Sequence, residues 1–96
     1  MKEILIATYI RPDTYRGYSR INHYHIPTEI RCYIYDNSEE RSMGITINGN
    51  PTPDYYDVVE YNYREEATYR HHFTDKSDAN SCVKAILTEF KDFKKI

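Results

Sequence analysis

The chain has no tryptophan, only three glycines and only two cysteines among its 96 residues. With so few glycines it has no glycine-rich loop that could hold a phosphate, and it lacks the Gly-x-Ser-x-Gly motif of serine hydrolases. The cysteines form no Cys-x-x-Cys pair, which excludes the commonest structural zinc motifs. No apolar run approaches the roughly 18 residues of a membrane-spanning helix. The sequence therefore predicts no catalytic residue, no cofactor and no membrane segment.

The composition that remains is typical of one globular domain over residues 1–96. Hydrophobic residues make up 40% of the chain and charged residues 29%, and the chain is too rich in aromatic and β-branched residues for disorder. The apolar start, residues 1–7, predicts a strand and not a signal peptide, because it is short and Arg11 and Pro12 follow soon after it. The cytoplasm is therefore the expected compartment.

Alternation of apolar and polar residues predicts a sheet of several short strands. The expected strands cover residues 2–10, 20–26, 28–36, 43–47, 55–63 and 66–73, with a polar loop over residues 11–19. The strand over 28–36 and the apolar run over 43–47 are separated by a polar turn, which predicts that the two pair as a hairpin.

The C-terminal part predicts one amphipathic helix with Ser77 as its N-cap. An apolar stripe recurs at helical spacing through Ala79, Val83, Ile86, Phe90 and Phe93. Cys82 widens this stripe, and Cys32 lies on the apolar side of a strand, so both cysteines are expected to be buried, reduced thiols. The predicted fold is α+β: an antiparallel β-sheet of five to six strands with one C-terminal amphipathic helix packed on one face.

Tyrosine is the residue in excess, with eleven copies. Tyrosines alternate along the predicted strands and lie beside carboxylates, so several are expected on the side of the sheet that the helix leaves bare. A tyrosine ring gives a large contact area at a low cost in side-chain entropy, which suits a binding surface. The candidate partner-binding residues are Tyr33, Tyr35, Tyr55, Tyr56, Asp57, Glu60 and Tyr61. The competing interpretation is that these tyrosines serve only as good strand formers and cross-strand partners.

Negative charge is concentrated in the middle of the chain. Residues 36–66 hold eight carboxylates and two arginines, a net charge of −6, whereas residues 1–35 and 67–96 each carry +2. Such a distribution favours a partner with a basic surface, either a protein or a nucleoprotein complex. An acidic stretch that only keeps the surface solvated is the alternative, and an exposed strand edge could also make a homodimer.

Direct nucleic-acid binding is a second hypothesis, since exposed rings on a sheet can stack bases. Stacking needs positive charge nearby to hold the phosphates, and the densest group of rings lies in the most acidic segment. The better candidates for this function are in the first third of the chain, where arginines and rings interleave: Arg16, Tyr18, Arg20 and Tyr24.

A metal-dependent hydrolase is a third hypothesis. His23 and His25 share one side of a predicted strand, and His71 or His72 could supply a third ligand. Because no His-Glu-x-x-His motif accompanies them, the sequence predicts neither a metal site nor an enzyme.

In size and composition, though in no shared motif, the chain resembles the small inhibitors of phages and mobile elements, such as anti-CRISPR and anti-restriction proteins. This resemblance implies a non-enzymatic inhibitor in the cytoplasm of a host cell. By this interpretation the tyrosines and carboxylates occlude a basic, nucleic-acid-handling surface of a host protein.

Overall fold

A computed structural model describes residues 1–12 and 26–96, which form a mixed α+β fold. Its elements in chain order are β1 (Lys2–Ile10), β2 (Glu29–Asp36), α1 (Ser38–Ser42), β3 (Thr46–Ile47), β4 (Asn50–Pro51), β5 (Tyr55–Tyr61), β6 (Ala67–Phe73), α2 (Lys76–Glu89) and β7 (Lys94–Lys95). Five strands form one antiparallel sheet in the order β6-β5-β2-β1-β7, and β3 pairs with β4 in a separate ribbon. The predicted fold class, an antiparallel sheet with a C-terminal helix on one face, is confirmed.

The core lies between α2 and one side of the sheet. Because side chains alternate along a strand, Ile30 and Cys32 of β2 point to the same side as Val58 of β5, which lies opposite Cys32. Three buried residues of α2 complete this cluster: Ala79, Val83 and Ile86. The helix packs mainly against β5 and β6, and so leaves the β1 side of the sheet less covered.

The predicted hairpin between residues 28–36 and 43–47 is wrong. In the structure β2 pairs with β1 on one edge and with β5 on the other, so neither edge is left for a third strand. The chain after β2 instead forms α1, where Arg41 donates hydrogen bonds to Asp54 at 2.8 Å and to the carbonyl of Thr52 at 2.9 Å. The apolar alternation at Met43, Ile45 and Ile47 is real, but all three side chains are exposed.

Both ends of α2 differ from the prediction. The N-cap is Asp75, whose carboxylate accepts a hydrogen bond from the backbone N–H of Ser77 at 2.8 Å. The helix ends at Glu89, since Phe90 already has an extended backbone with φ −112° and ψ 119°. The chain then turns back as β7 beside β1, which still brings Phe90 and Phe93 against the core.

The strand expected over residues 20–26 and the loop over 11–19 fall almost wholly outside the described residues. Within residues 1–12 and 26–96, no helix is long and apolar enough to cross a membrane.

Candidate functional site: the tyrosine face

The side of the main sheet that faces away from α2 carries four tyrosines, Tyr33 and Tyr35 from β2 and Tyr55 and Tyr61 from β5, which we call the tyrosine face. The register pairs Tyr35 with Tyr55, and it pairs Tyr33 with Asp57, so Asp57 lies on the same side. Since directly opposed residues on antiparallel strands are about 5 Å apart, these side chains form one continuous patch. Five of the seven predicted site residues are thus brought together.

The rings of the tyrosine face are half-buried, because neighbouring side chains cover part of each. The guanidinium of Arg31 lies 4.3 Å from the centre of the Tyr61 ring. The Tyr55 ring stacks on His72 of β6, with 5.1 Å between ring centres. These contacts restrict the rings before any partner binds, and less side-chain entropy is then lost on binding.

A buried carboxylate, that of Asp57, organises the centre of the face. Its side chain is only 4% exposed. It accepts hydrogen bonds from Arg70 at 2.7 Å, from the Tyr35 hydroxyl at 3.2 Å and from Nδ1 of His72. Arg70 also donates to the Tyr35 hydroxyl at 3.0 Å. Every oxygen of this carboxylate is therefore satisfied within the chain.

These contacts shift the pKa values of the cluster. Burial alone raises the pKa of Asp57, but the hydrogen bonds from Arg70, His72 and Tyr35 outweigh it and hold the pKa below the ordinary value. Burial and the neighbouring Asp57 charge raise the pKa of the Tyr35 hydroxyl. Asp57 is therefore ionised at neutral pH and can only accept, so Nδ1 of His72 carries the hydrogen.

The charges on this face are largely balanced. Asp57 is paired with Arg70, and Arg31 is paired with Glu29 on the same strand. In the sequence interpretation the Asp57 carboxylate was exposed and available to a basic partner, whereas the structure buries it against its cross-strand neighbours. What the face presents to solvent is mainly aromatic and not negative.

Two predicted site residues, Tyr56 and Glu60, lie on the other side of the sheet. Tyr56 packs against the core beneath α2. Glu60 is buried, 7% exposed, and hydrogen-bonds to Nε2 of His71. The reason is the two-residue period of a strand, which separates Tyr56 and Glu60 from Asp57. This alternation can be read from the sequence alone, and it already assigns Tyr56 and Glu60 to the opposite side of the strand from Asp57.

Three residues of the site were missed: Arg31, Arg70 and His72. The sequence held a signal for the last two, because the alternation of β6 assigns Tyr69 and His71 to one side and therefore Arg70 and His72 to the other. That they meet Asp57 could not be inferred, since it depends on the β5–β6 register.

Within residues 1–12 and 26–96 the structure shows no site for a metal or for a nucleophilic thiol, and the nucleic-acid candidates Arg16, Tyr18, Arg20 and Tyr24 lie outside these residues. His71 and His72 point to opposite sides of β6, His23 and His25 lie outside the described residues, and no group of three metal-ligating side chains occurs in the described part of the chain. Cys82 lines a groove with Glu60 and His71, but burial and then the Glu60 charge raise the pKa of its thiol. A protonated thiol is a poor nucleophile.

Comparison with protein-family models, with curated proteins and with solved structures gives no match to this chain. Its function has therefore to be argued from the geometry of the tyrosine face.

Proposed function

We propose that the chain is a non-enzymatic binding protein that docks on another protein through the tyrosine face. The observation that carries this proposal is the clustering of four partly covered rings from two adjacent strands on the side of the sheet that α2 leaves bare. Tyrosine is enriched among the residues that dominate binding energy, because its ring fills shallow pockets and its hydroxyl finds a polar partner.

The charge balance on the face supports one partner class over the other. A polyanion needs a net positive surface, but Arg31 and Arg70 are each paired with a carboxylate of this chain. A protein surface with shallow pockets needs no such excess, since ring area supplies most of the contact. The geometry therefore favours a protein partner over bare nucleic acid.

Negative charge can still act on the partner, from the end of the sheet beside the tyrosine face. Asp36 ends β2 one residue after Tyr35, and the exposed Glu39 follows in α1, whereas Glu40 is paired with the N-terminal ammonium group. Carboxylates at the edge of an aromatic patch increase the association rate with a basic surface. These carboxylates support the inhibitor hypothesis: an anti-CRISPR or anti-restriction type of protein that occludes a basic, nucleic-acid-handling surface in the host cytoplasm.

The first experiment is affinity capture from a host lysate treated with nuclease. The double variant Tyr33→Ala/Tyr55→Ala should bind the recovered protein at least about tenfold more weakly than the unchanged chain. Tyr69→Ala is the matched control, because Tyr69 is an exposed tyrosine on the helix side of the same sheet. Equal binding by the double variant and the unchanged chain would overturn the proposal.

The proposed attraction between these carboxylates and a basic partner is tested separately with Glu39→Lys. Glu39 is exposed, and its substitution leaves the Asp57 cluster intact. We expect slower association at low salt and a smaller difference at high salt. The control is Glu89→Lys, at the far end of α2. Identical association rates for both variants at low salt would contradict the proposal that the partner has a basic surface.

A second candidate function, base stacking on the tyrosine face, is favoured by one observation: Arg31 and Arg70 lie among the rings. It predicts that a fluorescent single-stranded oligonucleotide binds with an affinity that falls as salt rises and falls further in Arg31→Gln. Absence of binding at low salt would eliminate it and leave the protein partner.

A further inference from the structure

The outer edge of β1 is only partly paired. Its inner edge pairs with β2 from Lys2 to Leu5 and again from Ala7 to Ile10, with a register shift at Ile6 between the two runs, whereas β7 meets the outer edge only at Tyr9 and Ile10. The backbone N–H of Ile96 adds one hydrogen bond, to the carbonyl of Thr8. In the described part of the chain, no strand lies against the outer edge over residues 3–7.

This open edge is apolar. Ile4, Leu5 and Ile6 are exposed by 36%, 52% and 49%. On the helix side, Ile6 borders a groove of about 670 Å³ that is also lined by Ile34 and Leu87. An exposed apolar edge strand is a template for another strand. The opposite edge of the sheet, β6, carries Arg70 and two histidines, which are the kind of side chains that discourage such pairing.

We propose that residues 3–7 of β1 pair antiparallel with residues 3–7 of β1 of a second copy of this chain, about a two-fold axis at Leu5. The sequence Ile4-Leu5-Ile6 is the same in both directions, so Leu5 lies opposite Leu5 of the second copy and Ile4 lies opposite its Ile6. Leu5 pairs with Tyr33 on the tyrosine side of the sheet, whereas Ile4 and Ile6 are on the helix side. The three central contacts are then apolar against apolar on matching sides.

The charged neighbour of this run selects the same register. About Leu5, Glu3 lies opposite the small Ala7 of the second copy, at the end of the apolar run, and is four positions away from Glu3 of that copy. About Ile4 instead, the Glu3 carboxylate would lie opposite the larger Leu5 side chain within the apolar run, where more of its surface is desolvated without compensation. The self-pairing centred on Leu5 is therefore the favoured one.

A two-fold axis normal to the sheet keeps both tyrosine faces on the same side of the assembly. A partner with two equivalent surfaces could then be held at two points, which strengthens binding without any new contact. The self-association itself does not rest on the proposed function, since it requires no partner.

Cysteine cross-linking tests the register. Directly opposed residues of antiparallel strands have Cα atoms about 4.5–5.5 Å apart, within the range of a disulfide. Leu5→Cys, in a Cys82→Ser background, should therefore form a covalent dimer under mild oxidation. Glu3→Cys is the matched control, because four positions along a strand correspond to about 13 Å and no disulfide can form.

The molar mass measured by light scattering over a dilution series tests the association without cross-linking. The unchanged chain should shift from dimer to monomer on dilution, and Leu5→Lys should weaken the dimer at least about tenfold, because two ammonium groups would meet at the axis. Tyr69→Lys, on the other outer strand, should behave as the unchanged chain does. A monomeric unchanged chain at every concentration, or equal cross-linking of Leu5→Cys and Glu3→Cys, would overturn the proposal, and folding of each variant is checked by circular dichroism.

Discussion

Asp57 and His72 lie opposite each other on β5 and β6, and the buried carboxylate of Asp57 accepts a hydrogen bond from Nδ1 of His72. Arg70 on the same strand as His72 and Tyr35 on β2 reach the same carboxylate. One buried charge thus connects three adjacent strands at the centre of the tyrosine face. It holds the rings in place but leaves little negative charge for a partner.

Replacing the Asp57 carboxylate should destabilise the fold. In Asp57→Asn the buried site loses its charge, and the hydrogen bonds to Arg70 and His72 weaken. Because Arg70 is half-exposed and can regain water, we expect a loss of about 2 kcal/mol in the free energy of unfolding and not the larger cost of a fully buried pair. Urea denaturation measures it. Glu39→Gln, at an exposed carboxylate, should leave the midpoint unchanged, and equal midpoints for both variants would contradict the role of Asp57.

Acid should weaken the protein through the same carboxylate. The pKa of Asp57 is lower in the folded chain than in the unfolded chain, so the unfolded state binds more protons as the pH falls. The stabilisation is present above the unfolded pKa of about 3.9 and is lost as the pH falls through the folded pKa. Urea midpoints should therefore decrease below about pH 5. In Asp57→Asn the decrease should be smaller, and an equal decrease would assign the acid sensitivity to other carboxylates.

The N-cap residue of α2 in the structure differs from the one that the sequence predicts. Asp75 caps the helix by accepting from the N–H of Ser77, whereas the Ser77 hydroxyl only donates to Asp75 at 2.9 Å. Asp75→Ala should therefore cost about 1 kcal/mol in the free energy of unfolding, as N-cap replacements do. Ser77→Ala should cost clearly less. Thermal unfolding of the two variants makes the comparison, and the reverse order would show that Ser77 is the cap.

The fold class could be predicted because its signals are local. Polar and apolar residues alternate along β2 and β5, and the apolar stripe through Val83 and Ile86 has the spacing of a helix. The same alternation places Tyr33 and Tyr35 together on one side of β2. The error at residues 43–47 shows the limit, because an alternating run indicates a strand but does not say which strand it pairs with.

The site could be predicted only in part, since its geometry depends on contacts between distant residues. Asp57 was identified as a site residue, but its burial follows from Arg70 and from Tyr35, which are 13 and 22 positions away in the chain. Whether Asp57 faces a partner or the interior is therefore a property of the register and not of its local sequence.

The sequence by itself determined that this chain forms strands and a C-terminal helix, and that tyrosine supplies the large side chains of its sheet. Only the tertiary structure decided which rings share the face away from α2, that Tyr56 and Glu60 lie on the other, and that Asp57 is neutralised from within. The physical reason is that a period of two or 3.6 residues is encoded over a few neighbours, whereas the pairing of β5 with β2 and β6 is set by packing across the whole sheet.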